Sequence, residues 1–252
     1  MKINKETRLI LSISDSPGNF GTTFHNYLYQ KFDQNYLYKA CLCKDIVISV
    51  KSIKALSLFG MSVSMPFKKK AIHLVDELSE EAIKFKSLNT IVNNNGKLVG
   101  YNTDVYALEK ILEIYKIKAN TILIIGSGAI AEMCNIFFLG KTVHLKARNG
   151  AQKDYLDEIY KNDNNYLKEY DLVINTTPKK IKELEDDLSQ LRNYKFIIDY
   201  PVRSEYIVEN EDRYISGFEL TKHQAKKQYE LYTGLELNSS DLDEVINICK
   251  KV

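Results

Sequence analysis

The 252 residues, 44% of them apolar, are enough to bury a core for one large domain or two modest ones. A net charge of +2, with no basic run denser than Lys68 to Lys70, argues against a dedicated nucleic-acid or acidic-surface binder. The longest apolar runs, such as Thr121 to Gly126, have the length of strands, so nothing reads as a membrane span or a secretory leader. Cys41, Cys43, Cys134 and Cys249 form no C-x-x-C pair and have no histidine at zinc spacing. No metal is therefore expected, and a reducing cytoplasm is the default location.

Arg8 to Ser14 reads as a buried strand. Apolar residues at 24, 27, 28 and 32 predict a helix from about Thr22 to Phe32, with Thr22 or Thr23 as N-cap. Tyr36 to Cys41 predicts a second strand, Asp45 opens a helix with apolar positions 46, 47, 50, 53 and 56, and Met61 to Met65 predicts a third strand. This alternation predicts parallel strands joined by right-handed crossovers. After Lys68, apolar residues at 71, 72, 74, 75 and 78 read as helical, and Asn93-Asn94-Asn95-Gly96 between apolar runs marks a hairpin. A second unit opens with a helix from Val105 to Tyr115 and a strand from Thr121 to Ile125. Further strands are expected at Val143–Lys146, Leu172–Asn175 and Phe196–Ile198. The tail reads as two helices, Leu220 to Tyr232 and Ser240 to Lys250, the second capped by a serine before Asp241.

Between Ser62 and Asp104, polar groups fall where strands end. Lys68 follows a strand and a Pro66 turn, Asn89 and Thr90 open a hairpin strand, and Asn102, Thr103 and Asp104 close its partner. Ligand clefts of open α/β sheets lie at such rims. Taken singly, Lys68 reads as one of thirty lysines and Asp104 as an N-cap for the following helix.

Gly126-Ser127-Gly128-Ala129-Ile130-Ala131 follows a strand and opens a helix, the context in which G-x-G-x-x-A binds a dinucleotide. Gly126 permits the tight turn, Gly128 lets a pyrophosphate approach, and Ala131 keeps the helix close to the sheet. A structural strand-to-helix turn is the plainer reading of the same residues. The next strand ends Lys146-Ala147-Arg148-Asn149 with no acidic residue for a ribose 2′-hydroxyl. Arg148 instead suits a 2′-phosphate, which favours NADP over NAD, although a solvated arginine fits the position too.

Val63-Ser64-Met65-Pro66-Phe67-Lys68, Leu88-Asn89-Thr90 and Gly100-Tyr101-Asn102-Thr103-Asp104 together resemble the substrate-site signature of shikimate dehydrogenases. The opening from Ser14 to Tyr29, with a long glycine-bearing loop before His25-Asn26, is similar to the divergent shikimate dehydrogenase-like branch. The resemblance implies an α/β protein of two domains. A discontinuous substrate-binding and catalytic domain with a mostly parallel sheet would take residues 1–104 and 217–252, and a Rossmann-like NADP-binding domain residues 105–216. It implies hydride exchange between the nicotinamide and shikimate, with Lys68 as acid/base group and Asp104 as its partner. Ser14 and Ser16 would hold the substrate carboxylate, and Ser64, Asn89, Asn102 and Gln224 its ring hydroxyls. Gly217 would lie beside the nicotinamide. Quinate or another polyol acid is the alternative substrate, and a metabolite-binding protein without turnover the rival reading. The expected partner is a small molecule, with no nucleic acid or membrane, in a monomer or homodimer.

Three segments depart from the family pattern. Thr177-Pro178-Lys179-Lys180 lacks a glycine, Asp199 to Arg203 is short, and Gly217 is followed by polar residues. Of these, Glu219, Lys222 and His223 read as an exposed helix face.

Overall fold

The computed structural model describes residues 3–147, 150–163, 165–179, 184, 193–201 and 213–250. They group into two compact units, one running to Tyr106 and resuming at Lys222, the other spanning Ala107–Thr221.

In the first unit β1 (Arg8–Ser14), β2 (Tyr36–Leu42) and β3 (Gly60–Val63) run parallel, with α1 (Phe20–Lys31) and α2 (Ile46–Ala55) as crossovers. Leu9, Leu11 and Ile13 join Val50, Ile53, Met61 and Val63 in one core cluster, while Ile10 on the opposite face of β1 is fully buried as well. A strand covered on both faces is apolar throughout, which is why Arg8 to Ser14 lacks alternation. After α3 (Lys68–Ala71) come β4 (Glu77–Leu78), α4 (Glu80–Lys84), β5 (Thr90–Asn94) and β6 (Lys97–Tyr101). The sheet order is β2-β1-β3-β5-β6-β4, with β5 antiparallel to both neighbours. Asn95 and Gly96 take φ of 53° and 94°, the type I′ turn expected of the hairpin.

The second unit is wholly parallel. After α5 (Thr103–Ile114) come β7 (Thr121–Ile125), α6 (Ala129–Phe137), β8 (Thr142–Lys146), α7 (Gly150–Tyr160), β9 (Glu169–Asn175), β10 (Asn193–Asp199) and β11 (Tyr214–Ser216). The order is β11-β10-β9-β7-β8, and Leu123, Ile125, Val173 and Ile197 centre its core. α8 (Gly217–Thr233) then carries the chain back to the first unit, which ends with α9 (Ser239–Cys249). Among the described residues no helix is long and apolar enough to cross a membrane.

Local signals misplace four element boundaries. α1 starts at Phe20 with Asn19 at its N-cap, because the Thr22 hydroxyl is drawn to the Ala40 N–H of β2 at 3.3 Å. The helix expected after Lys68 stops at Ala71 and passes through a 3₁₀ turn at Ile72–Leu74. Val75 is then extended, and Asp76 exchanges bonds with Leu98, its N–H donating to the carbonyl at 3.0 Å and its carboxylate accepting from the Leu98 N–H at 2.7 Å. Pairing with the hairpin edge overrides the helical periodicity. α9 is capped by Asn238, which accepts from the Asp241 N–H at 2.9 Å, and not by a serine. α5 begins at Thr103, so Asp104 lies inside its first turn instead of capping it.

Candidate active site

The register of the first sheet brings four chain segments to one rim. Ile13 pairs with Val63, Ser62 with Thr90, and Thr90 with Tyr101. The carboxyl ends of β1, β3 and β6 therefore meet the amino end of β5, which runs against its neighbours. Lys68 opens α3 just past this rim, its carbonyl accepting from the Leu88 N–H at 3.2 Å. Its Nζ donates to Asp104 Oδ2 at 2.7 Å, and the two side chains are only 9% and 6% exposed. An ammonium and a carboxylate are thus held in contact and nearly out of water.

The neighbouring amides lock the segments that carry this pair. Asn89 is fully buried; its Oδ1 accepts from the Thr103 N–H (3.0 Å) and the Thr90 hydroxyl (2.9 Å), and its Nδ2 donates to Thr103 Oγ1 (3.0 Å). Asn102 gives its Nδ2 to both the carbonyl and the hydroxyl of Ser87, each at 3.0 Å, and accepts from the Asp104 N–H at 3.1 Å. Both asparagines fasten the start of α5. Ser14, at the end of β1, is buried, and among the described residues its hydroxyl has no partner. Ser16 and Ser64 are exposed, and Gln224 on α8 is half-buried.

In the second unit the loop after β7 leads through Gly126 and Gly128 straight into α6. Gly126 sits at φ 122°, and a Cβ there would lie 2.3 Å from Thr176 Oγ1, so the protein's own fold demands glycine. Gly128 caps α6 with no side-chain bond, and among the described residues beyond its chain neighbours and its own helix backbone a Cβ on it would meet nothing within 4 Å. A helix start without a side-chain cap can offer its first N–H groups to a ligand or to water. Ala131 is fully buried and Ala129 half-buried. Gly217 is required by its own surroundings, since a Cβ would lie 2.2 Å from the Tyr200 carbonyl oxygen. Arg148 lies outside the described residues, as do Lys180 and Arg203 of the departing segments.

A family profile described as the shikimate dehydrogenase substrate binding domain matches residues 12–91. A shikimate dehydrogenase-like protein of Haemophilus influenzae is 36% identical over 252 residues, covering 92% of each chain. The chain belongs to the shikimate dehydrogenase family. An NADP(+) shikimate dehydrogenase of Pyrococcus furiosus is 29% identical over 93% of each chain. A solved shikimate 5-dehydrogenase-like protein superposes with a TM-score of 0.83 at 34% identity, covering 99% of this chain and all of the other. The shikimate 5-dehydrogenase of Thermus thermophilus, solved in complex with NADP(H) and shikimate, shares the fold at a TM-score of 0.78 and 19% identity, over 96% and 99% of the chains.

Within this member of the shikimate dehydrogenase family, several buried polar residues escape the motifs. Gln228 on α8 is 5% exposed and donates to Thr90 Oγ1 at 2.9 Å and to the Asn89 carbonyl at 3.3 Å. Its only signal in the sequence is its place one turn after Gln224. His25 is fully buried and stacked on Tyr38 at 4.3 Å, and among the described residues neither ring nitrogen has a hydrogen bond of good geometry. Burial pushes its pKa down to about 3, and the nearby Gln228 amide offsets little of that. Asp199, at the end of β10, accepts from Asn175 Nδ2 at 2.6 Å and from the Tyr214 hydroxyl at 2.8 Å, tying three strand ends together. The exposed face expected of Glu219, Lys222 and His223 does not form. His223 is 8% exposed and the other two are half-buried, because the helix continues into the first unit instead of ending in solvent.

Proposed function

We propose that the protein is an NADP-dependent oxidoreductase that exchanges hydride between the nicotinamide and shikimate, or a closely related hydroxycyclohexene carboxylate, with 3-dehydroshikimate as the oxidised product. The buried Lys68–Asp104 pair, at 2.7 Å, carries this reading in a chain of this family. A buried ion pair adds little to stability compared with apolar side chains of similar volume, so its chemistry is the better reason for its presence.

In the oxidative direction the alcohol loses a proton as its ring carbon loses hydride, and the neutral amine of Lys68 accepts that proton. In the reductive direction the ammonium donates to the carbonyl oxygen and polarises it. Asp104 holds the Lys68 side chain in place through both. The buried, unpartnered Ser14 hydroxyl would donate to the substrate carboxylate, joined by Ser16 and Ser64. Asn89 and Gln224 would meet ring hydroxyls, while Asn102, with its amide hydrogens on Ser87, serves better to hold the Asp104 backbone.

Residues 105–216 would form the dinucleotide domain and residues 1–104 with 217–252 the substrate domain. The start of α6, without a side-chain cap and with no other described residue crowding Gly128, fits a pyrophosphate, with Gly126, Ala129 and Ala131 shaping the loop. Arg148 would select the 2′-phosphate of NADP over NAD, and Gly217 would lie near the nicotinamide. When bound, the cofactor supplies the hydride acceptor.

The test is the near-ultraviolet absorbance of reduced nicotinamide, with shikimate and quinate each tried against NADP and NAD from neutral to alkaline pH. Shikimate with NADP is expected to react fastest, and oxidation to be favoured as pH rises, because converting the alcohol and NADP to the ketone and reduced nicotinamide releases a proton to solvent. Lys68→Ala is expected to lower kcat by about 10²–10⁴-fold. Silence in all four combinations, with NADP still binding, would overturn the assignment.

A further inference from the structure

The entry to β5 is held from two sides. From one side Asn89 binds the backbone and side chain of Thr103, the first residue of α5, which places the next residue, Asp104, against Lys68. From the other side α8 delivers Gln228, whose Nε2 donates to Thr90 Oγ1 at 2.9 Å and to the Asn89 carbonyl at 3.3 Å. The Thr90 hydroxyl that accepts from Gln228 itself donates to Asn89 Oδ1 at 2.9 Å. An unbroken chain of bonds therefore runs from the tail helix through Thr90, Asn89 and Thr103 to the helix turn that bears Asp104. Each bond in such a chain polarises the next, and a satisfied buried network rigidifies its members.

We infer that Gln228 is a positioning residue of the active site, acting through Thr90 and Asn89 to fix where Asp104 holds Lys68. The inference rests on the proposed hydride transfer for its kinetic consequence but not for its structural one. Gln228 is 5% exposed, lies next to the fully buried His25, and is bonded to Thr90 and the Asn89 carbonyl. Packing alone would be served as well by a hydrocarbon side chain; the amide adds two directed donors aimed at the β5 entry. Gln224, one turn earlier on the same helix face, is half-buried and makes none of these bonds.

Gln228→Met keeps the volume and removes both donors. Hydrogen exchange read by mass spectrometry is expected to quicken at the Thr103 and Asp104 amides while β1 and β2 keep their protection. In the same variant kcat for the dehydrogenation is expected to fall about 10- to 100-fold, since small misplacements of reacting groups cost that much, with the KM for NADP unchanged. Thr90→Val should reproduce the exchange effect, Thr90→Ser should restore protection, and the effects of Thr90→Val and Gln228→Met should not add. Wild-type exchange at residues 103 and 104 in Gln228→Met overturns the inference. So does a uniform loss of protection across β1 and β2, which would mark a purely structural residue. If the unaltered protein turns over no substrate, the proposed function fails while the exchange measurement still decides the role of Gln228.

Discussion

Lys68 and Asp104 both give up hydration to meet at 2.7 Å with side chains 9% and 6% exposed, and their attraction only partly offsets that loss. Removing one partner strands the other, so Lys68→Met or Asp104→Leu alone is expected to cost about 3–5 kcal/mol. The double variant should recover most of it, since both desolvation costs then vanish. Urea unfolding of the four proteins checks this, and a double variant as unstable as the sum of the single ones would refute it. His25 makes a second prediction at this scale. Its folded pKa of about 3 lies below the ordinary histidine value of 6.5, so the unfolded chain binds a proton in that window and the folded protein does not. The tyrosines around it, Tyr29, Tyr38 and Tyr232, are themselves pushed upward by burial and stay neutral there. Stability is thus fully present above the unfolded value and falls by about 1.4 kcal/mol per pH unit as pH drops toward the folded one. Above the carboxylate range, His25→Phe should flatten that slope, measured by denaturant midpoint against pH.

The turn between β7 and α6 shows how one motif joins two different demands. Gly126 answers to the fold: at φ 122°, with a Cβ 2.3 Å from Thr176 Oγ1, Gly126→Ala is expected to destabilise the protein by about 1–3 kcal/mol. Gly128 is not held by the fold in this way, for among the described residues beyond its chain neighbours and its own helix backbone no atom lies within 4 Å of where its Cβ would sit, and the proposed function gives it to the nucleotide. Gly128→Ala should therefore leave stability within about 0.5 kcal/mol while weakening NADP binding. Denaturant midpoints and NADP titration of the two variants separate the roles, and a destabilised Gly128→Ala would show that the second glycine is structural after all. The motif was legible in the sequence because turn and helix start lie within six neighbouring residues. The division of labour was not, because the clashing atom at Gly126 belongs to Thr176, fifty positions away.

The two units have separate cores and separate sheets, and the chain passes between them within α5 and again within α8. A nucleotide bound by the folded second unit stabilises it by mass action. NADP at about a hundred times its Kd should then add about 2.7 kcal/mol of stability, and NAD at the same concentration less. Thermal unfolding with and without each nucleotide measures this, and equal shifts for the two would remove the case for Arg148 as the 2′-phosphate selector. By itself the sequence determined most of the strand and helix succession and the hairpin, because apolar periodicity and turn chemistry act between near neighbours; Lys68 and Asp104 stood out only through their resemblance to the shikimate dehydrogenase signature. Only the tertiary structure decided that Val75 leaves its helix for a sheet edge, that Asn89 and Asn102 fasten Asp104, and that Gln228 reaches Thr90 across 138 residues. Those bonds join segments far apart in the chain, and a local pattern carries no information about which buried partner a polar side chain will meet.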